Sequence, residues 1–254
     1  MKIYVLVSQS HLSLLNEWFL PSLNGELPVE IRYMPQMTSG EYKSPGWTSA
    51  MLEKVALIQS AIQENWGGEF LYSDVDIQFL GPITEPLTDL PADTDLFFQK
   101  DSPSGMLCAG FFVCRANART ASFFQHVAVT LRERPGSGDQ DIVNELLNPP
   151  SASHLTNFWR RLISPLEVRA RYTTLPDSFF GGGTFTGKVW QPGEQVMLPE
   201  RPLMHHANWT VGIANKMAQL AWVRNEISLL KSTSSIAPHC LPVRQSGDVL
   251  PGQN

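Results

Sequence analysis

Long apolar runs are what this chain most conspicuously lacks. The N-terminal stretch Ile3 to Val7 holds five consecutive apolar residues, too few for the core of a signal peptide, and no other stretch is long enough to span a bilayer. Basic clusters are missing too. With 24 acidic against 19 basic residues, a net charge of −5 and no run of Lys or Arg, the chain lacks the means to neutralise a nucleic-acid backbone. Cysteine is scarce: Cys108, Cys114 and Cys240 are odd in number and show neither zinc spacing nor a disulfide framework, so a reducing compartment is expected. The charged fraction is only 17% against 43% hydrophobic, which excludes a disordered chain and leaves a globular one with a substantial core.

What is present alternates between strand and helix patterns. Ile3 to Val7 reads as a buried parallel strand. His11 to Leu20 reads as a helix ended by Pro21, and Val29 to Tyr33 as a strand. Thr48 or Ser49 is expected to cap a helix whose stripe is Met51, Val55, Ile58 and Ile62, stopped by Gly67-Gly68. Two further strands are expected over Asp95 to Gln99 and Ala109 to Arg115. Helices are expected from Asn117 to about Arg132, over Asp139 to Leu147 and over Val211 to Leu230. From Pro149 to Pro202 the chain reads as loops and short strands covering a site. This order predicts a mostly parallel open α/β sheet flanked by helices, with ligands at the carboxyl ends of its strands. One domain is expected over 1–231, and a flexible tail over 232–254.

Two stretches carry chemistry. In Tyr72-Ser73-Asp74-Val75-Asp76-Ile77 an apolar strand runs into two aspartates. Strand alternation would put Asp74 and Asp76 on one side of the backbone. Carboxylates so close repel unless a cation lies between them or one of them is protonated, and hard oxygen donors suit Mg²⁺ or Mn²⁺ shared with a phosphate. The second stretch runs from His205-His206 through Trp209 and Gly212 to Lys216. An imidazole adds a nitrogen donor that favours Mn²⁺, Gly212 lets the backbone approach a ligand, and a helix N-terminus with Lys216 favours phosphate. Each feature also has an ordinary reading: Asp-x-Asp as a solvated turn, a lone histidine as a satisfied structural residue, Lys216 as a solvated helix face.

In order along the chain, several segments resemble the nucleotide-diphospho-sugar transferases of the glycosyltransferase family 77 type, within the wider metal-dependent GT-A set. These are Lys54 ahead of the motif strand, Asp74-Val75-Asp76 with its trailing Phe79 and Pro82, and Phe98-Gln99 followed by Cys108-Ala109-Gly110-Phe111. Asp139-Gln140-Asp141 with Asn144, Phe179-Phe180-Gly181-Gly182-Gly183, and His206 through Gly212 and Lys216 complete the set. The resemblance covers about residues 1 to 220, and departs at Cys108-Ala109, where an asparagine is common. It implies a single GT-A domain and transfer of a sugar from a nucleotide-diphosphate donor to a carbohydrate or other hydroxyl acceptor, with retention of configuration.

The site expected on that basis has Asp76 and His206 as ligands of Mn²⁺ or Mg²⁺, with Asp74 contacting the metal through water or holding the ribose. Ser8, Gln9, Lys54, Asp74, Val75, Asp76, Gly212 and Lys216 would bind the nucleotide sugar, UDP- or GDP-linked. Asp139, Gln140 and Asp141 would lie near the reacting carbon, although Gly138-Asp139 is equally a good helix start. Partners are then a nucleotide-sugar donor and a hydroxyl acceptor, with neither nucleic acid nor a membrane span. The place is cytoplasmic, or peripheral to the inner face of a membrane. The alternatives are a binding module without turnover and a haloacid-dehalogenase-type phosphohydrolase. Gln78, two positions beyond the second aspartate, speaks against the phosphohydrolase.

Overall fold

A computed structural model describes residues 1–35, 46–147 and 169–234. Trp159, Cys240 and the tail beyond residue 234 lie outside the described residues, as do 148–168 of the expected loop region. The main sheet has six strands: β1 (Ile3–Ser8), β2 (Val29–Met34), β3 (Glu69–Ser73), β5 (Leu96–Lys100), β6 (Leu107–Arg115) and β7 (Tyr172–Thr174). Their order is β2-β1-β3-β6-β5-β7. Only β6 runs against the rest, so the sheet is mostly parallel as expected. A second sheet, in the order β4-β9-β8, joins β4 (Ile77–Phe79), β9 (Met204–His206) and β8 (Phe179–Gly181).

Period-two alternation sorts the main-sheet side chains between two apolar layers. Tyr4, Phe70, Tyr72 and Phe112 face one side, where helices α2 (Trp47–Glu64) and α4 (Ala118–Glu133) cover them. Ile3, Val5, Leu71, Phe111 and Val113 face the other, under Leu14, Phe19 and the β4 segment. Each of these buried side chains contributes about 1.5–3 kcal/mol relative to exposure. Helix α6 (Ile213–Ser234) packs through Val223 and Ile227 on Phe180, Trp190 and Val196. Helix α5 (Asp139–Leu147) has the expected bounds.

Several boundaries differ from the sequence reading, each for a local reason. The first helical segment is a 3₁₀ turn over Gln9–His11, a π-helical stretch over Leu14–Phe19 and a short α1 (Leu20–Leu23). Pro21 does not end it, because the ring sits in the first turn of α1, where a missing N–H costs little. Neither Thr48 nor Ser49 caps α2; Gly46 does, at φ +89°, and the Thr48 hydroxyl instead accepts from Gly136 N at 2.8 Å. Asp95 lies just outside β5 as a buried anchor. The helix expected from Asn117 is α4, and Asn117 is its cap, in a reciprocal capping box with Thr120. The remaining short helix, α3 (Thr84–Thr88), links β4 to β5, and α6 continues past Leu230 to Ser234.

Candidate active site

Strand β3 stops at Ser73, and the next strand begins at Ile77. Asp74-Val75-Asp76 is therefore a bend between two sheets, and the strand alternation expected to align the aspartates does not apply. They converge all the same. The Val75 side chain is buried in the core and fixes the bend, while Asp74 N–H donates to Gly110 O at 2.7 Å. Asp76 O accepts from Ala207 N at 2.8 Å, where the β4–β9 ladder continues past its last pair, Ile77 with His206. One ligand atom each from Asp74, Asp76 and His206 lies within 4.8 Å of the others.

The set is held by buried charge. Asp76 Oδ1 is 3.2 Å from His206 Nε2, and its other oxygen takes the Lys216 ammonium. Burial would raise the Asp76 carboxyl, but Lys216 and then His206 hold it well below its ordinary value. Burial likewise opposes protonation of His206, yet the Asp76 carboxylate outweighs it and pushes the ring up to about 10. Neighbouring His205 is the converse. Burial, and then the His206 charge, push it down to about 3, so it is a neutral core residue, hydrogen-bonded to Gln78 at 3.3 Å.

Lys54 does not face water. Only 6% exposed, it places Nζ 2.9 Å from Asp139 Oδ2, 3.4 Å from Asp74 Oδ1 and over the Tyr72 ring. Desolvation of its ammonium is outweighed by Asp139 and then Asp74, which keep it charged. Tyr72 hydroxyl adds a hydrogen bond to Asp74 Oδ1 at 2.9 Å. Helix α5 is pinned to β6 because Asn144 both donates to and accepts from the Leu107 backbone at 2.8 Å, and Gln140 Oε1 accepts from Ala109 N at 3.2 Å. Asp139 and Gln140 thus border the site. Asp141 does not join them. It is exposed, and its carboxylate accepts from Gly138 N at 3.3 Å as a helix-start group.

Of the other expected residues, Ser8 is buried with its hydroxyl 3.0 Å from His11 Nδ1, whereas Gln9 is exposed. Gly212, at φ +86°, precedes the first turn of α6, where its carbonyl accepts from Lys216 N at 3.0 Å. Gly110 has a different reason to be glycine. A Cβ there would lie 2.5 Å from His206 Cε1 and 2.6 Å from Asp74 Oδ2. The glycine-marked loop is explained likewise, since Cβ atoms at Gly181, Gly182 and Gly183 would strike Asn208, Gln219 and the Trp209 ring. Trp209 itself has φ +54°, unusual for a bulky residue. Its indole donates to Asp101 Oδ2 at 3.0 Å, and its carbonyl accepts from Trp190 N at 2.8 Å, so the surroundings hold the strained backbone.

Three neighbours escaped the sequence reading as site residues: Gln99, His11 and Asp101. Gln99 Oε1 lies 2.9 Å from His206 Nδ1. His11 loses basicity through burial and senses the charges of Asp76, Lys216 and Asp74. Asp101, which burial makes a weaker acid, accepts from Asn208 at 2.9 Å as well as from Trp209. The usable signal for Gln99 was a polar strand residue directly after the apolar run Leu96-Phe97-Phe98. The other two carried none.

The two carboxylates and the imidazole fit a divalent cation of the Mn²⁺ or Mg²⁺ kind in donor chemistry and proximity. The glycine at 110, whose Cβ would fill the space between two of the three donors, keeps that space open.

Chains of known structure share the architecture. A glycosyltransferase involved in the glycosylation of the major capsid of PBCV-1 superposes with a TM-score of 0.50 at 13% identity, over 88% of this chain and 100% of that one. The glycosyltransferase GlyE of Streptococcus pneumoniae TIGR4 gives 0.50 at 13% identity, and its apo form 0.51 at 14%. Both cover 92% of this chain but 63% of GlyE, so this chain spans less than two thirds of GlyE's length. At such identities the likeness is one of fold. No curated protein matches in sequence. The sequence model for nucleotide-diphospho-sugar transferases matches residues 17–220, most of the chain. By that match, over most of the residues that build the site, the chain belongs to the nucleotide-diphospho-sugar transferase family and is a transferase enzyme.

Proposed function

We propose that this chain is a metal-dependent glycosyltransferase that moves a sugar from a UDP- or GDP-linked donor to a hydroxyl group of a glycan or similar acceptor. The carrying observation is the convergence of Asp74, Asp76 and His206, with the Lys216 ammonium on the same carboxylate. Asp76 and His206 would hold Mn²⁺ or Mg²⁺, and Asp74 would contact it through water or hold the ribose. A divalent cation bound there supplies electrostatic stabilisation of the departing diphosphate.

The chain's own groups do the rest. Lys216 and the α6 N-terminus at Gly212 offer fixed positive charge to the diphosphate as the glycosidic bond breaks. Ser8 and His11, at the end of β1, border the nucleotide. Lys54 bridges Asp139 and Asp74, which puts a carboxylate and the Gln140 amide beside the transferred sugar to stabilise positive charge at its anomeric carbon. Retention of configuration follows from the resemblance to the family 77 type. No helix among the described residues is long and apolar enough to cross a membrane.

The test is a thermal-shift and donor-hydrolysis screen of UDP- and GDP-sugars with Mn²⁺, comparing wild type with Asp76→Ala. A ligand at 100 times its dissociation constant stabilises the folded state by about 2.7 kcal/mol. A Mn²⁺-dependent shift with one nucleotide and slow hydrolysis of its sugar, both lost in the variant, are expected. A shift without hydrolysis or transfer to any acceptor would leave a binding module, and no shift at all in a folded protein would sink the proposal.

A further inference from the structure

Strand β5 changes register at Phe98/Gln99. Phe98 pairs with Phe112, but Gln99 pairs with Cys108, so Ala109, Gly110 and Phe111 have no partner on β5, while Phe111 stays paired with Ser73 of β3 on the other side of β6. Such irregularities re-aim side chains, and two effects follow here. Gly110 meets Asp74, and both members of the next pair, Gln99 and Cys108, turn toward His206. The Gln99 carboxamide oxygen lies 2.9 Å from His206 Nδ1, and Cys108 Sγ lies 3.6 Å from the same nitrogen. Gln99 is fully buried, and its amide nitrogen finds no acceptor among the described residues. Leaving a buried donor unpaired costs stability that a leucine of similar size would not incur. The amide thus serves its oxygen, whose one partner is the imidazole.

Resting on the metal reading above, we propose that Gln99 is the positioning residue of the site. By accepting from Nδ1–H it fixes the tautomer and the ring plane of His206, so that Nε2, on the Asp76 side of the ring, carries the lone pair that a divalent cation requires. A ring nitrogen can coordinate only where its proton is kept on the other nitrogen, and the partner of that other nitrogen decides the matter. Sulfur is a weak acceptor and Cys108 is the farther neighbour, so the oxygen of Gln99 governs.

The experiment titrates the full chain with Mn²⁺ alone, read by electron paramagnetic resonance of the free ion, with pulsed detection of ¹⁴N coupling from coordinated imidazole. Gln99→Leu should bind Mn²⁺ about 10- to 100-fold more weakly and lose the ¹⁴N coupling, with thermal unfolding as the check that it folds. Gln99→Met provides a second apolar variant should leucine fail to fold. Gln99→Glu, which keeps the acceptor, should restore both affinity and coupling. Overturning results are Gln99→Leu within twofold of wild type, Gln99→Glu as weak as Gln99→Leu, or Cys108→Ala producing the loss instead. Wild type that binds no Mn²⁺ overturns the metal reading and this inference together. Binding abolished by His206→Ala but indifferent to Gln99 overturns the inference alone.

Discussion

Two buried aspartates make an instructive contrast. Asp95, before β5, accepts from Asn117 Nδ2, from Arg119 Nε and from Arg171 N, each at 2.8 Å, tying the start of α4 and the strand leading into β7 to one carboxylate. Asp76 has instead two cationic side chains, His206 and Lys216. Both carboxyls are kept below their ordinary values despite burial, Asp95 by the Arg119 and Arg171 hydrogen bonds and Asp76 by the Lys216 and His206 charges. A lowered carboxyl pKa therefore does not separate structure from function. The difference lies in what holds the charge. Around Asp95 it is largely amide and guanidinium N–H groups belonging to the secondary structure. Around Asp76 it is two cations that an incoming metal and phosphate can displace or recruit.

The comparison breaks most visibly in kinetics. Asp76→Ala should lower turnover on the order of a thousandfold, about 4 kcal/mol of transition-state stabilisation, read as kcat/KM for donor hydrolysis or transfer. Asp95→Ala should leave kcat/KM per folded molecule nearly unchanged. It should cost about 3 kcal/mol of stability by leaving buried donors unpaired, a fall in Tm of about 6–12 °C by calorimetry. Equal kinetic losses in both variants would erase the distinction.

A smaller effect sharpens it without touching a charge. Gly110→Ala puts a methyl against His206 and Asp74, and should weaken Mn²⁺ binding about tenfold while Tm moves only a few degrees. Unchanged Mn²⁺ affinity would show that this space is not the ion's.

The smallest effect is in pH. Asp95 has a folded value below its ordinary 3.8, so its contribution is complete above that value and is lost as pH falls through the depressed one. His206 has a folded value raised from 6.5 to about 10, so its contribution is complete below 6.5 and is lost as pH rises toward 10. Urea midpoints should therefore fall off at acid pH in wild type with a slope that Asp95→Asn reduces, the depressed Asp76 carboxyl supplying the remainder, and at alkaline pH with a slope that His206→Gln reduces. If one variant removed both slopes, the two clusters would not be independent.

Much of this was legible in the sequence, and the exceptions share a cause. Five of the six main-sheet strands, α5, the helix start at Asn117 and the ordered set Asp74, Asp76, His206, Gly212 and Lys216 follow from period and motif order, all properties of short windows. Lys54 was expected to bind the nucleotide sugar, but nothing near it in sequence says that Asp139, far along the chain, is the partner that justifies its burial. Asp141 looked equivalent to Asp139 because nothing local says which of the two meets that lysine. Gln99 acquired its meaning from a register shift with β6, and the aspartates converged through a bend rather than through alternation. What a window cannot show is which distant partner makes a costly placement tolerable.

The small sheet carries a consequence for how the molecule assembles. It joins Ile77–Phe79 to Met204–His206, and the ion pair beside it links positions 140 apart in sequence. Pairings at that separation close very large loops and form late. Refolding should then restore far-UV ellipticity before it restores Mn²⁺ or nucleotide binding, and the reverse order would refute this. During synthesis the early strands must wait, with Asp74 and Asp76 still facing water, until the segment bearing His206 and Lys216 has left the ribosome.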